Sequence, residues 1–143
     1  MNEQKTSRLS QDEIKQQAAY LQRLGAWNKT YRERTGKNRK AYINTYGCQM
    51  NEHDSEKLLG MLLQAGFEEA ASQDDADLIL FNTCCVREHA QTRVYGNVGA
   101  LAKRKQEQPD LLIGVCGCMM QQPQVAQALY RRFPFVDMVF GTH

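Results

Sequence analysis

From Lys40 onward the chain alternates short apolar runs with longer segments of helical periodicity. Ala41–Tyr46 (AYINTY) is rich in β-formers and stops at Gly47. The stretch from about Asn51 to Ala65 carries Leu58, Leu59, Leu62 and Leu63 on one stripe and ends at Gly66, a helix with its stop signal. Phe67–Ala71 reads as a short strand or a turn. Asp77–Asn82 (DLILFN) is continuously apolar, as expected of a strand buried on both faces. A helix is expected from about Val86 to Gln106, with Val86, Ala90, Val94 and Leu101 facing inward and Pro109 beyond its end. Leu111–Cys116 (LLIGVC) is a second buried strand, Gln124–Arg132 a helix with Pro123 near its start, and Val136–Phe140 a last strand. Strands alternating with helices of this length predict βαβ units. The expected fold is α/β: an open, mostly parallel sheet of four or five strands with helices on both faces.

The first forty residues follow another pattern. Ser10 and Glu13 form a capping box, with Leu9 and Ile14 at the staple positions around it. Ile14, Ala18, Leu21 and Leu24 then share one helical face, and Gly25 is expected to end or weaken that helix. Residues 28–40 (NKTYRERTGKNRK) read as a basic linker. The division is therefore residues 1–40, a basic and partly helical extension, and residues 41–143, the domain proper. Charge supports it: the net +2 combines an excess of six positive charges in residues 1–40 with an excess of four negative charges in the rest. A basic segment can meet phosphate backbones, though a solvated extension needs no such partner.

A 143-residue chain that is 42% hydrophobic and 24% charged suits one globular domain with a real core. No apolar run approaches the ~20 residues that span a bilayer, so no membrane partner is expected. Met1–Ser10 lacks the apolar centre of a secretory signal. A cytoplasmic chain is expected, where five cysteines do not make a disulfide framework.

The positions of those cysteines carry the chemistry. Cys48, Cys84 and Cys118 each follow one of the expected strands and recur after 36 and then 34 residues. In a parallel sheet such positions share the carboxyl edge, where open α/β sheets bind ligands. Each is followed by a helical segment, whose N-terminus favours the thiolate. Three converging thiolates suit zinc with a fourth ligand, for which His53, His89 and His143 are available, or an iron–sulfur cluster with one iron left open. Spacing does not separate these readings from each other, or from inert buried cysteines. Asn44, Asn82 and Thr83 near strand ends, and Gln49 and Asn51 after the first cysteine, are candidates to orient the cysteine loops, though capping and turn chemistry uses the same residue types. Arg87 is a candidate to offset thiolate charge, or to make a surface ion pair. The competing function class is a nucleotide-binding or interaction module, zinc-stabilised or metal-free. Against it, neither G-x-G-x-x-G nor G-x-x-x-x-G-K is present.

The residues around the cysteines add a resemblance. TYGCQMNEHDSE (Thr45–Glu56), NTCCVREHA (Asn82–Ala90), RVYGNVGAL (Arg93–Leu101) and GCMMQ (Gly117–Gln121) resemble the N-terminal domain of the radical-SAM methylthiotransferases. The CQMN-x-x-DSE and NTC-x-VRE forms are most similar to the MiaB type, which acts on tRNA. The resemblance covers about residues 41–143. It implies that Cys48, Cys84 and Cys118 hold an auxiliary 4Fe–4S cluster. It further implies that the open iron carries the sulfur that is methylated and inserted at C2 of a prenylated adenosine beside the anticodon. It also implies a following radical-SAM domain, with a second 4Fe–4S cluster and S-adenosylmethionine, and a final RNA-binding domain. The C-x-x-x-C-x-x-C motif of that second cluster is absent from these 143 residues, which read as an excised N-terminal domain that is inactive alone. Cys85 and Cys116 match no ligand position of the family, and packing is their default role.

Overall fold

The structure is a computed structural model describing residues 2–47, 49–83, 88–117, 120 and 123–141, with backbone alone for residues 2–17, 49–51 and 88–91. Five strands form one sheet: β1 (Lys40–Thr45), β2 (Glu68–Glu69), β3 (Leu78–Thr83), β4 (Leu112–Gly117) and β5 (Met138–Phe140). Their order is β2-β1-β3-β4-β5, and every pairing is parallel. The helices are α1 (Asn2–Thr35), α2 (Gln49–Gln64), α3 (Glu88–Gly99), α4 (Ala102–Glu107) and α5 (Pro123–Arg132), with a 3₁₀ turn at Gln73–Asp75. The expected α/β architecture is present, with all five strands formed and each of the longer ones displaced by about one residue from its sequence-based limits.

Period-two alternation splits the core into two layers. Ile79 and Phe81 of β3 and Ile113 and Val115 of β4 pack with Val94 and Val98 of α3 and Leu129 of α5. Leu78 and Leu80 of β3 and Cys116 of β4 face the other way, against Leu24 of α1 and Leu58 and Leu62 of α2. Helices therefore cover both faces. Of the four leucines on the α2 stripe, Leu58 and Leu62 are buried, Leu59 is half-buried and Leu63 is exposed. The buried arc is thus narrower than the sequence pattern.

Two segments differ from the sequence-based expectation. Helix α1 does not stop at Gly25 but continues to Thr35. Gly25 lies against the end of α2, with the Ala65 carbonyl as the nearest neighbour of the position a Cβ would take. Three residues on, the buried Asn28 donates from Nδ2 to that same carbonyl at 2.9 Å. The glycine thus serves a close helix–helix approach, and docking offsets its entropic cost of about 1 kcal/mol. Nor are residues 28–40 a free linker. Arg39 is buried, its guanidinium lying over the Trp27 and Tyr31 rings and donating to the Trp27 carbonyl.

The helix expected over 86–106 is two helices. After Gly99 a turn interrupts the helix, Leu101 is buried in the core at that turn, and α4 begins at Ala102. Arg104 of α4 donates to the carbonyls of Gln73, Asp74 and Ala76, the first of which also accepts the Ala76 N–H that closes the 3₁₀ turn.

Candidate functional site

The sheet order changes direction at β1, so that β1 and β3 flank the topological switch point. In doubly wound sheets of this order the crevice beyond the carboxyl ends at that point is the usual ligand site. There the strand ends are in register. Thr45 pairs with Asn82, and Asn82 with Cys116. One residue further, the Tyr46 N–H donates to the Asn82 carbonyl at 2.9 Å. Thr45, Asn82 and Cys116 thus stand abreast on three neighbouring strands, with Tyr46 one residue past the end of β1. Cys48 comes three residues after Thr45 in the sequence, and Cys84 and Cys118 come two residues after Asn82 and Cys116. The three cysteines themselves lie outside the described residues, as do Cys85 and Arg87.

Glycines set how the chain leaves this edge. Gly47 and Gly117, each immediately before a candidate cysteine, have φ of 116° and 109°. That region suits glycine because a Cβ clashes with the backbone. Gly117 has a second reason: a Cβ there would lie 2.3 Å from the Thr83 carbonyl oxygen and 2.9 Å from Asn82 Oδ1. Beside it, the fully buried Thr83 donates from Oγ1 to the Cys116 carbonyl at 2.7 Å, tying β3 to β4 where the ladder ends.

The candidate orienting residues are not all at one place. Asn82 and Thr83 lie at the end of β3 and are fully buried. Asn44 is turned toward the 3₁₀ turn, where its Nδ2 donates to Gln73 Oε1 at 2.7 Å. Gln49 and Asn51 lie in the first turn of α2, with side chains outside the described set.

Three further side chains reach this edge that sequence reasoning did not select as site residues. Ser55 of α2 contacts Thr45 Oγ1 at 2.7 Å and accepts from Asn82 Nδ2 at 3.0 Å. Asn97 of α3 donates to the Tyr46 hydroxyl, and the Arg93 guanidinium lies 5.8 Å from the centre of the Tyr46 ring. The only sequence signal for them was a surplus of polar residues at strand ends, each needing a partner when buried.

Cys116 is at the edge but is no free thiolate. It is fully buried among Leu58, Leu80 and Met138 of the α1/α2 layer. Burial pushes its thiol well above the ordinary range, and Asp54 adds in the same direction. The thiolate is the metal-binding form, so packing is the role this environment supports. Iodoacetamide is expected to leave Cys116 unlabelled in the folded, reduced chain and to alkylate it after unfolding in urea, as read by mass spectrometry of the peptides. His53 is exposed and lies 3.9 Å from Glu56, one helical turn away. Among the described residues no group of three His, Cys, Asp or Glu side chains is placed to hold a metal ion.

Residues 40–141 match the uncharacterized protein family UPF0004. The chain belongs to this family. Its resemblance is to the N-terminal domain of MiaB-type enzymes, as the sequence motifs imply. A tRNA-2-methylthio-N(6)-dimethylallyladenosine synthase of Caldicellulosiruptor saccharolyticus is 55% identical over 126 residues, covering 88% of this chain and 27% of that protein. The synthase of the same name from Alkaliphilus oremlandii is 51% identical over 135 residues, covering 94% of this chain and 27% of that protein. The one from Clostridioides difficile is 45% identical over all 143 residues, or 30% of its own length. The UPF0004 chain thus spans under a third of these relatives. The relatives carry the name of a tRNA-modifying synthase. Among the described residues no helix is long and apolar enough to cross a membrane.

Proposed function

We propose that this chain is the cluster-binding part of a tRNA-2-methylthio-N6-dimethylallyladenosine synthase, in which Cys48, Cys84 and Cys118 hold an auxiliary 4Fe–4S cluster. The observation that supports the reading is the register of Thr45, Asn82 and Cys116 across three adjacent strands. Neighbouring strands are about 4.8 Å apart, and two or three residues of chain reach at most about 7–11 Å. Three cysteines starting from such anchors are within reach of one small group. The glycine turns before Cys48 and Cys118 fit that arrangement, because they release the chain from the pleat just ahead of each cysteine. When bound, a cluster held by three thiolates supplies one iron open to an external sulfur ligand.

The protein's own residues do the holding. Three thiolates ligate, while Asn82 and Thr83 fix the ends of the strands between them. Gln49, Asn51 and Arg87 border the same cysteines in sequence and are proposed to orient them and balance their charge. Residues 41–143 form the cluster domain and residues 1–40 the basic extension. That extension also docks, burying Leu24 against the sheet and Asn28 against the end of α2 while Arg23, Lys29, Arg32 and Arg34 stay exposed for RNA phosphates. The substrate is tRNA, which places the work in the cytoplasm. A radical-SAM domain with a second 4Fe–4S cluster and S-adenosylmethionine, and an RNA-binding domain, complete the activity.

Anaerobic reconstitution with iron and sulfide tests the reading. The chain is expected to take up about four irons. One tightly held zinc without iron uptake would mark a zinc-stabilised module instead. The reconstituted 143-residue chain, given S-adenosylmethionine and a reductant, is expected to form no methylthiolated nucleoside by mass spectrometry of digested tRNA, because these residues hold no second cluster motif. Its RNA binding is expected to be weak and to vanish at high salt. Changing Arg23, Lys29, Arg32 and Arg34 together to Gln should flatten the salt dependence, by nearly one unit of slope for each phosphate no longer neutralised. Affinity that survives both that variant and high salt would refute this electrostatic account.

A further inference from the structure

Ser55 occupies an unusual position for its residue type. It lies in the interior of α2, where serine is a poorer helix former than alanine and often bonds back to its own helix. Here its hydroxyl points at the sheet. It accepts from Asn82 Nδ2 at 3.0 Å and shares a hydrogen bond with Thr45 Oγ1 at 2.7 Å. Thr45 and Asn82 are register partners, paired in the ladder at the ends of β1 and β3. They sit three and two residues before Cys48 and Cys84. One side chain on the helix after the first cysteine therefore clamps the two strands that flank the switch point. The neighbouring junction, β3 to β4, is held differently, by Thr83 Oγ1 on the Cys116 carbonyl.

We propose that Ser55 is a positioning residue that sets the separation of Cys48 from Cys84, leaving the Cys84–Cys118 pair untouched. The inference rests on the cysteine-edge reading above and adds to it a specific division of labour. The Ser55 hydroxyl moves no proton in this role and need not contact the bound group. It fixes the distance between two strand ends on the α2 face, while the backbone bond from Tyr46 to Asn82 fixes it at the level of the main chain.

Phenylarsine oxide, a trivalent arsenical that bridges two thiolates, reads this without any cluster. With Cys85→Ser as background, Cys118→Ala leaves the Cys48–Cys84 pair and Cys48→Ala leaves the Cys84–Cys118 pair. Cys116 is buried and stays silent. Ser55→Ala is expected to weaken arsenical binding about tenfold at Cys48–Cys84, as two lost hydrogen bonds warrant, and to leave Cys84–Cys118 unchanged. Ser55→Thr keeps the hydroxyl and should restore most of the affinity. Thr45→Val removes one partner without altering the helix, and should weaken only Cys48–Cys84, by about threefold. Alanine favours the helix, so α2 is retained in the first variant, as circular dichroism will check.

Equal weakening of both pairs, or of neither, would overturn the positioning role while leaving the cysteine edge intact. A chain with Ser55 in place, in which neither pair binds the arsenical, would overturn the edge and the inference with it. Iron loading gives a second readout: Ser55→Ala should lower iron per chain and Ser55→Thr should not.

Discussion

Replacing Cys48, Cys84 or Cys118 by alanine is expected to abolish iron loading of the reconstituted chain, while Cys85→Ala or Cys116→Ala leaves most of it. A cluster held by three thiolates has no spare ligand, so losing one leaves two irons exposed. The two other cysteines do not compensate, for different reasons. Cys116 belongs to β4, its side chain enclosed by the α1/α2 layer and its thiol kept protonated by burial. Cys85 adjoins Cys84, and because neighbouring side chains of an extended chain diverge, one of two adjacent cysteines is expected to serve a fixed iron. Iron and sulfide analysis, with the visible absorption of the cluster, checks all five variants. Loading retained by Cys84→Ala and lost by Cys85→Ala would reassign the second ligand.

The largest expected effect on stability is that of Gly117→Ala. Its φ of 109° alone costs a non-glycine residue about 1–3 kcal/mol. The added methyl would also lie 2.3 Å from the Thr83 carbonyl oxygen and 2.7 Å from its nitrogen. These are main-chain atoms of the adjacent strand, held by the ladder, and cannot swing aside. The sum is expected to be about 3–5 kcal/mol, a large part of the stability of a domain this size. Gly36→Ala is the control, because its φ is also positive, 75°, but nothing lies within 4 Å of the new methyl. It should cost about 1 kcal/mol. Urea denaturation of the two variants separates backbone strain from steric overlap. Similar midpoints for both would show that the Thr83 contact relaxes.

The strands of this fold were legible because each is a short apolar run bounded by glycine, proline or polar residues. DLILFN and LLIGVC read as doubly buried strands, and that is how β3 and β4 lie. The positions of Cys48, Cys84 and Cys118 after successive strands were legible for the same reason. What was not legible depends on contacts distant in sequence. Gly25 is a helix stop by local rules, and becomes a contact point only because α2 passes beside it. Leu101 fits the inner face of one continuous helix, yet the core draws it in at a turn between two. Ser55 carries no local mark of its role, since its partners are ten and twenty-seven residues away. Asn44 was grouped with Asn82 by position, but alternation sends them to opposite faces of the sheet.

The seating of α1 has a consequence for synthesis. Tyr20, in its middle, lies 5.8 Å from the ring of Phe140 at the end of β5. These rings are about 120 residues apart in the chain, so the helix leaves the ribosome well before the strand it packs on exists. At about 5–20 residues per second the interval is roughly 6–24 s. During that time the apolar side of α1 has no complete resting place, and the face of β1 and β3 that it covers stays open. Helix α1 is thus made well before it can be fully seated, and a nascent chain of this family must keep that face from wrong partners until β5 emerges.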